Sequence, residues 1–389
     1  MFAVLQFARN PLPKILVLLS AVWLAACVPA GNNGPAINTR APVPVALLLP
    51  GGSGNSGDEV IARALRQAAE MAISDLDGVQ IDLRVYNTGA SPAMAAQTAV
   101  RAVDEGAKII LGPVFAEAAN AVGIAVASRN VNVLSFSNNA DIAGGNVFVL
   151  GPTFENTANR LVSYAARQGK RNILVVHDAT TAGEVGRRAI ETAVSRSPAR
   201  LAGAVAYQFS QEGVVSAVPN IATQVRSSGA DALFLTADTA GALPLLAQML
   251  PEAGVNPDSV KYIGLTRWDI PPATLSLPGV QGGWFALPDP GLNGQFQTRF
   301  QATYGEPPHP IAGLAYDGIA AIGALVKAGK PDALTRSALT QGSGFVGVNG
   351  VFRLLPDGTN ERGLAVAQIR NNQVFVIDPA PRNFGGAGF

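Results

Sequence analysis

Val45-Ala-Leu-Leu-Leu-Pro50-Gly-Gly-Ser-Gly-Asn-Ser-Gly57-Asp-Glu-Val60-Ile-Ala-Arg-Ala-Leu65 sets an unbroken apolar run, a glycine-rich turn and the start of a periodic stretch side by side. The apolar run, extended back to Val43, does not alternate with polar residues. That is the pattern of a strand buried on both faces. Beyond the turn, apolar residues at 61, 64, 65, 68, 69, 72 and 73 form one helical stripe over 58–76. Asp58 and Glu59 favour the N-terminal end of that helix. A strand, a tight turn and a helix make the first half of a parallel βαβ unit.

The same alternation continues outward. Strands are predicted at 80–86, 108–111, 132–136 and 147–150, with helices at 91–105 and 114–127. A second series runs through helix 153–168, strand 172–177, helix 183–195, strand 202–207, helix 215–227, strand 232–236, helix 240–250 and strand 261–265. Strands alternating with helices imply parallel sheets with right-handed crossovers. Two such series predict an α/β fold of two doubly wound Rossmann-like lobes. The tail adds helices near 293–304 and 311–328 and short strands at 347–353, 363–369 and 373–378. The last two are joined by an Asn371-Asn372 turn.

Composition narrows the function classes. Of 389 residues, 48% are hydrophobic and 14% charged, so the chain can bury a core and is not disordered. The net charge is +1 and there is no clustered Lys/Arg stripe, which argues against a nucleic-acid partner. Two histidines far apart cannot build a His-rich metal cage, and a single cysteine excludes a disulfide framework. No cofactor is implied.

Residues 1–26 read as a signal peptide. Arg9 and Lys14 precede a short apolar run at 15–26, well under the roughly 20 residues a membrane-spanning helix needs. Leu24-Ala25-Ala26-Cys27 resembles a bacterial lipobox, with the lone cysteine at the position that is acylated and becomes the mature N-terminus. Cleavage there removes Arg9 and Lys14 and takes the formal charge from +1 to −1. Residues 27–42 then form a lipidated start and a Pro/Gly/Asn-rich flexible tether. Val28 is not the aspartate associated with inner-membrane retention, which favours a periplasmic protein anchored to the outer membrane.

Strand ends hold the candidate ligand residues, because open α/β sheets bind at the carboxyl ends of their strands. Gly52-Ser-Gly54-Asn-Ser-Gly57 matches G-x-G-x-x-G, but the second strand ends in Tyr86-Asn87-Thr88 and lacks the acidic ribose ligand. The loop reads as a dinucleotide turn, a plain βα loop, or a ligand contact through free amides, Ser53 and Asn55. Gly112-Pro113 ends the third strand, with the proline suited to the first position of a helix. Ser135-Phe-Ser137-Asn-Asn139 is either a turn or the floor of a polar site. His177-Asp178 has no nucleophile to serve, and no G-x-S-x-G elbow occurs, so the chain is not expected to be an enzyme. Asp178 and Thr180, Asp238, and Arg267-Trp268 end later strands. Arg267 either grips a carboxylate beside an apolar Trp268 wall or pairs with Asp269.

Together these motifs resemble the type I periplasmic binding proteins of the leucine/isoleucine/valine-binding class over residues 43–378. The resemblance rests on Val45–Pro50 with its loop, Ile109-Ile-Leu-Gly-Pro113, Val133-Leu-Ser-Phe-Ser137 and Val175-Val-His-Asp178. Downstream it adds Ala315-Tyr-Asp-Gly318, Gly347-Val-Asn-Gly350-Val-Phe352 and Leu355-Pro-Asp-Gly358. Phe136-Ser-Asn-Asn139, Gly282-Gly-Trp-Phe285 and the lipobox are most similar to lipoproteins that activate penicillin-binding proteins. The resemblance implies lobe one at 43–152 plus 286–335, lobe two at 153–285 plus 336–389, three crossings between them, and a ligand cleft closed by a hinge. It implies that Ser135 and Ser137 hold a ligand carboxylate and that Asp178 faces it from the second lobe. Phe115 stands in Val114-Phe115-Ala116, where the amino-acid binders carry serines, and joins the candidate lining. The implied function is a non-enzymatic binding component of an ABC-type amino-acid transporter, taking a small polar, amino-acid-like ligand and meeting a permease. The alternative is a regulator that activates a penicillin-binding protein.

Overall fold

The computed structural model describes residues 34–385. The signal segment and Cys27 lie outside the described residues.

Strands β1 (Val43–Leu49), β2 (Ile81–Asn87), β3 (Ile109–Leu111), β4 (Asn132–Ser135) and β5 (Val147–Val149) form one all-parallel sheet in the order β2-β1-β3-β4-β5. β1 sits inside it, buried almost throughout, as its unbroken apolar run requires. Helices α1 (Ser56–Ser74), α2 (Pro92–Asp104) and α3 (Ala116–Val126) are its crossovers. α1 begins where the Asn55 side chain accepts from the Gly57 amide, and it buries Ala64, Leu65, Ala68, Ala69 and Ala72 along the expected stripe.

The second sheet has seven strands in the order β15-β14-β10-β9-β8-β6-β7. These are β6 (Asn172–Asp178), β7 (Arg200–Tyr207), β8 (Ala232–Leu235), β9 (Lys261–Gly264), β10 (Trp284–Leu287), β14 (Ala365–Arg370) and β15 (Gln373–Asp378). β14 and β15 pair antiparallel at one edge, joined by Asn371 and Asn372 at φ 50° and 61°, the left-handed pair a tight hairpin demands. Helices α4 (Phe154–Arg167), α5 (Thr181–Ser195), α6 (Gln211–Ser228) and α7 (Leu243–Glu252) complete this lobe. α4 opens on a capping box, with Thr153 and Asn156 each accepting from the other's backbone amide.

Helices α8 (Pro290–Tyr304) and α9 (Ala312–Lys327) return to the first lobe, where Phe296, Phe300, Leu314, Ile319 and Ile322 join the β1 core. A short helix α10 (Arg336–Leu339) precedes a small antiparallel sheet of β11 (Phe345–Gly347), β12 (Gly350–Leu354) and β13 (Asn360–Arg362). The chain therefore crosses between lobes after β5, after β10 and after β13, the doubly wound architecture expected from the alternation.

Six local expectations change. The predicted strand 347–353 is two strands, because Val348 and Asn349 turn back as a hairpin held by Asp317. The predicted strand 363–369 likewise begins only at Ala365. The tail also divides between the lobes: Phe345, Phe352 and Leu354 bury in the first core, whereas the resemblance implies that 336–389 lies in the second lobe. Strand β10 lies wholly in the second sheet, so 286 and 287 leave the first lobe. Pro113 does not start a helix. Gly112-Pro113 is a cis peptide, and α3 begins only at Ala116. Gly112 takes φ +94°, and a Cβ there would meet the Leu48 carbonyl oxygen at 2.3 Å. From Gly34 onward the expected tether is docked. The Gly34 carbonyl accepts from Asn130, the Ile37 amide donates to Pro331, and Ile37 is buried in the first core.

Among the described residues no helix is long and apolar enough to cross a membrane, and no group of three His, Cys, Asp or Glu side chains is placed to hold a metal ion.

Candidate functional site

A cavity of about 280 Å³ opens between the lobes. From the first lobe it takes Asn138 and the crossing residues Pro152 and Thr153. The second supplies Leu265, Thr266, Arg267 and Ile270, and the return segments add Leu287, Ile311, Leu314 and Asn349. A neighbouring hollow of about 330 Å³ shares Asn138, Pro152, Ile311 and Leu314 and adds Phe115, Phe136 and Ser137. The lining is chiefly apolar, with a few placed polar groups, which is the usual composition of a small-molecule site.

Arg267 is the charged residue of this cleft with donor capacity to spare. Its Nε donates to Asp269 Oδ1 at 2.9 Å and Nη2 to Oδ2 at 2.5 Å, leaving Nη1 without a partner among the described residues. The ion-pair reading and the carboxylate-gripping reading therefore coexist on one side chain. Arg362 also reaches the cleft wall, but each of its nitrogens is engaged: Nη1 donates to Asp317 at 3.0 Å, while Nε and Nη2 donate to the Leu150 carbonyl.

The Asp317–Arg362 pair is the pin of the hinge. Asp317 is fully buried and accepts from the Val348 amide at 2.8 Å and the Asn349 side chain at 3.1 Å as well. Burial pushes its carboxyl above the usual range, and the guanidinium beside it opposes that. The pair joins α9 to β13 and, through Leu150, to the first crossing. Asn360 reinforces the same place by donating to the Val149 and Gly151 carbonyls.

The residues named from the sequence fall into four groups. Arg267, Phe115 and Ser137 lie along the cleft. Ser135 lies beneath it, wholly buried, donating to the Pro113 carbonyl at 3.0 Å and accepting from the Ser137 amide at 3.1 Å. Its hydroxyl builds the loop and is not presented to a ligand. Ser135→Ala should therefore cost about 1–3 kcal/mol by stranding buried partners; a denaturant melt reads that loss, and ligand affinity of the surviving fold should change little.

Trp268 requires a correction. Its side chain has no exposed surface and belongs to the second-lobe core, so it forms no wall of the cleft. The reason is close packing: the indole fits against Gly264 and Gly283, which have no side chains to exclude it. Ser53, Asn55, Asp178, Thr180 and Asp238 serve their own strand-to-helix turns. Ser53 donates to Asp58 at 2.7 Å, and Asn55 caps α1. Asp178 accepts from the Thr180 amide and hydroxyl, and Asp238 accepts from the Gly241 amide at 2.6 Å. The dinucleotide reading of the glycine loop also fails electrostatically. The Gly52 amide already donates to Glu59 at 2.6 Å, so carboxylates occupy the place a pyrophosphate would need. His177 is buried, with Nδ1 3.0 Å from the Asp178 carbonyl, a structural contact.

Sequence reasoning passed over Thr153, Ile311, Asn349 and Arg362; Asn138 falls in the 135–139 stretch read as a turn or the floor of a polar site. One signal was available: Asp317 is a single acid inside the apolar helix 312–326, which implies a buried partner.

The family model of the periplasmic binding proteins matches residues 42–373. The chain belongs to that family. Among solved structures, the periplasmic binding fold recurs in a Rhodospirillum rubrum protein described as a candidate branched-chain amino acid ABC transporter. It is 17% identical with a TM-score of 0.74, covering 87% of this chain and 100% of that one. A substrate-binding protein of a Desulfitobacterium hafniense ABC transporter, in complex with leucine, is 16% identical with a TM-score of 0.64, covering 87% and 100%. A solute-binding protein from R. palustris in complex with benzoate is 17% identical with a TM-score of 0.58, covering 90% and 99%. No curated protein shows significant sequence similarity to the chain. These likenesses show that the chain has the fold of that family.

Proposed function

We propose that this periplasmic binding protein is the solute-binding component of an ABC-type transporter, closing on a small carboxylate with an apolar body. The observation that carries this reading is the free Arg267 Nη1 in the lining of a chiefly apolar cleft. A cavity of about 280 Å³ is near the lower end of the roughly 300–1,000 Å³ usual for small-molecule sites. Leucine and benzoate, held by two proteins of the same fold, are both carboxylates on apolar bodies. The cleft suits a less polar body than the small polar, amino-acid-like ligand expected from the strand ends, because the Ser135 hydroxyl is used internally.

Thermal-shift screening with leucine, other amino acids, benzoate and muropeptides tests the reading. A true ligand at 100 times its Kd adds about 2.7 kcal/mol of stability. Arg267→Ala should weaken that ligand about tenfold or more, the worth of one charge-assisted bond. No stabilisation by any of these compounds would reject the proposal.

The alternative, activation of a penicillin-binding protein, is favoured by one observation: the described cleft offers no free carboxylate to answer a ligand ammonium. Affinity capture from membranes separates the two, a permease supporting transport and a peptidoglycan synthase supporting regulation. Anchoring through acylated Cys27, to the outer membrane in preference to the inner, is part of the proposal and rests on Leu24-Ala25-Ala26-Cys27. Cys27→Ser should move the protein from the membrane to the soluble fraction; unchanged membrane association would reject the anchor.

A further inference from the structure

A second, larger cavity of about 520 Å³ lies on the second lobe behind the hinge, between α4, the end of α5 and β13. Four of its lining residues are Arg160, Arg167, Arg171 and Arg196. The acid among them is Glu361, which is already paired with Arg353 at 2.6 Å. Asp378 holds Arg160 and Arg167 together, at 2.9 and 2.6 Å. Four guanidiniums against that one remaining carboxylate leave an excess of three positive charges.

The donors are not exhausted. Arg160 is 5% exposed and is the most engaged: Nε donates to the Leu364 carbonyl at 2.6 Å and Nη2 to the Pro379 carbonyl at 3.1 Å, while the buried Nη1 lies 2.9 Å from Asp378 without an aligned hydrogen bond. Arg171 uses only Nε, in a long 3.4 Å bond to the Ala166 carbonyl. The Arg196 side chain has no hydrogen bond or ion pair among the described residues. Burial pulls the Arg160 guanidinium below its ordinary value, against the attraction of Asp378. An arriving oxyanion would relieve that cost.

We propose that this cavity is a second ligand site, separate from the cleft, that binds a phosphate-type oxyanion through the arginines. Two largely unspent guanidiniums, Arg171 and Arg196, set beside the engaged Arg160 and Arg167 on one hollow, are an arrangement that recognises phosphoryl oxygens. The neutral side-chain amide of Asn159 in the wall suits a hydroxyl-bearing remainder on the same ligand. Arg362 lines both this cavity and the cleft, so the site abuts the hinge from behind.

Isothermal titration of the mature protein with sodium pyrophosphate tests the proposal, alongside flotation with phosphatidylglycerol vesicles at matched ionic strength. The variant is Arg171→Ala/Arg196→Ala, at two exposed positions whose loss leaves the core intact. Saturable pyrophosphate binding that weakens about a hundredfold in the variant is expected, at roughly tenfold per charge-assisted contact. Vesicle binding alone, lost in the same variant, would identify the oxyanion as a lipid headgroup. Binding of neither probe, or binding that the variant leaves unchanged, overturns the site. Cleft ligands are titrated in parallel, so failure here is distinguishable from failure of the cleft.

Discussion

Asp317→Ala is expected to lower the unfolding free energy by about 3–5 kcal/mol, the usual consequence of removing one member of a buried ion pair. The loss follows from what remains. Arg362, with its side chain 4% exposed, would keep its charge in the interior with only the Leu150 carbonyl to answer it. The Val348 amide and the Asn349 side chain would lose their acceptor too, loosening the β11–β12 hairpin. Urea unfolding of the single variant reads the loss, and the double variant Asp317→Leu/Arg362→Met supplies the control. Replacing both partners with apolar groups should restore much of the stability. A single variant within about 1 kcal/mol of the parent, below the usual cost of breaking a buried pair, would show that the pair does not hold the hinge.

Trp268→Ala is the second large effect, also about 3–5 kcal/mol, the usual cost of deleting a large aromatic from a core. The indole fills space that two glycines leave open. A Cβ on Gly264 would lie 2.2 Å from Trp268, and one on Gly283 2.6 Å from it. The indole nitrogen is buried without a partner. Trp268→Phe should therefore retain most of the stability, since it keeps much of the volume and removes an unsatisfied donor. Denaturant midpoints give the ordering. The contrast with Arg267→Ala is informative: the arginine variant should weaken ligand with little change in stability, the tryptophan variant the reverse. If Trp268→Ala instead abolished binding at unchanged stability, the side chain would have to face the cleft.

The fold was legible because it is written in periodicities. The apolar run of β1, the stripe of α1 and the Asn371-Asn372 turn each act over a few neighbouring residues, and the same local rules recur through both series. The tail was misread for the same reason. Val348 and Asn349 look like the middle of a strand in sequence, and only Asp317, about thirty positions earlier, turns them into a hairpin.

The candidate site was legible by place and less so by residue. Strand ends were the right region, and Arg267, Ser137 and Phe115 lie along the cleft. Ser135 and Asp178 have suitable chemistry at suitable strand ends, but neighbouring amides and hydroxyls had already claimed it.

By itself, then, the amino-acid sequence determined the two α/β lobes, their parallel sheets, and the choice of strand ends as the place to look. Those follow from short-range burial patterns and turn chemistry. Only the tertiary structure decided which polar groups remain free. That outcome depends on partners far apart in the chain: Asp317 with Arg362, Arg160 with Leu364 and Asp378, and Asn156 with Asn360. A hydrogen bond satisfies a donor regardless of how many residues separate the two ends, and no local pattern encodes it.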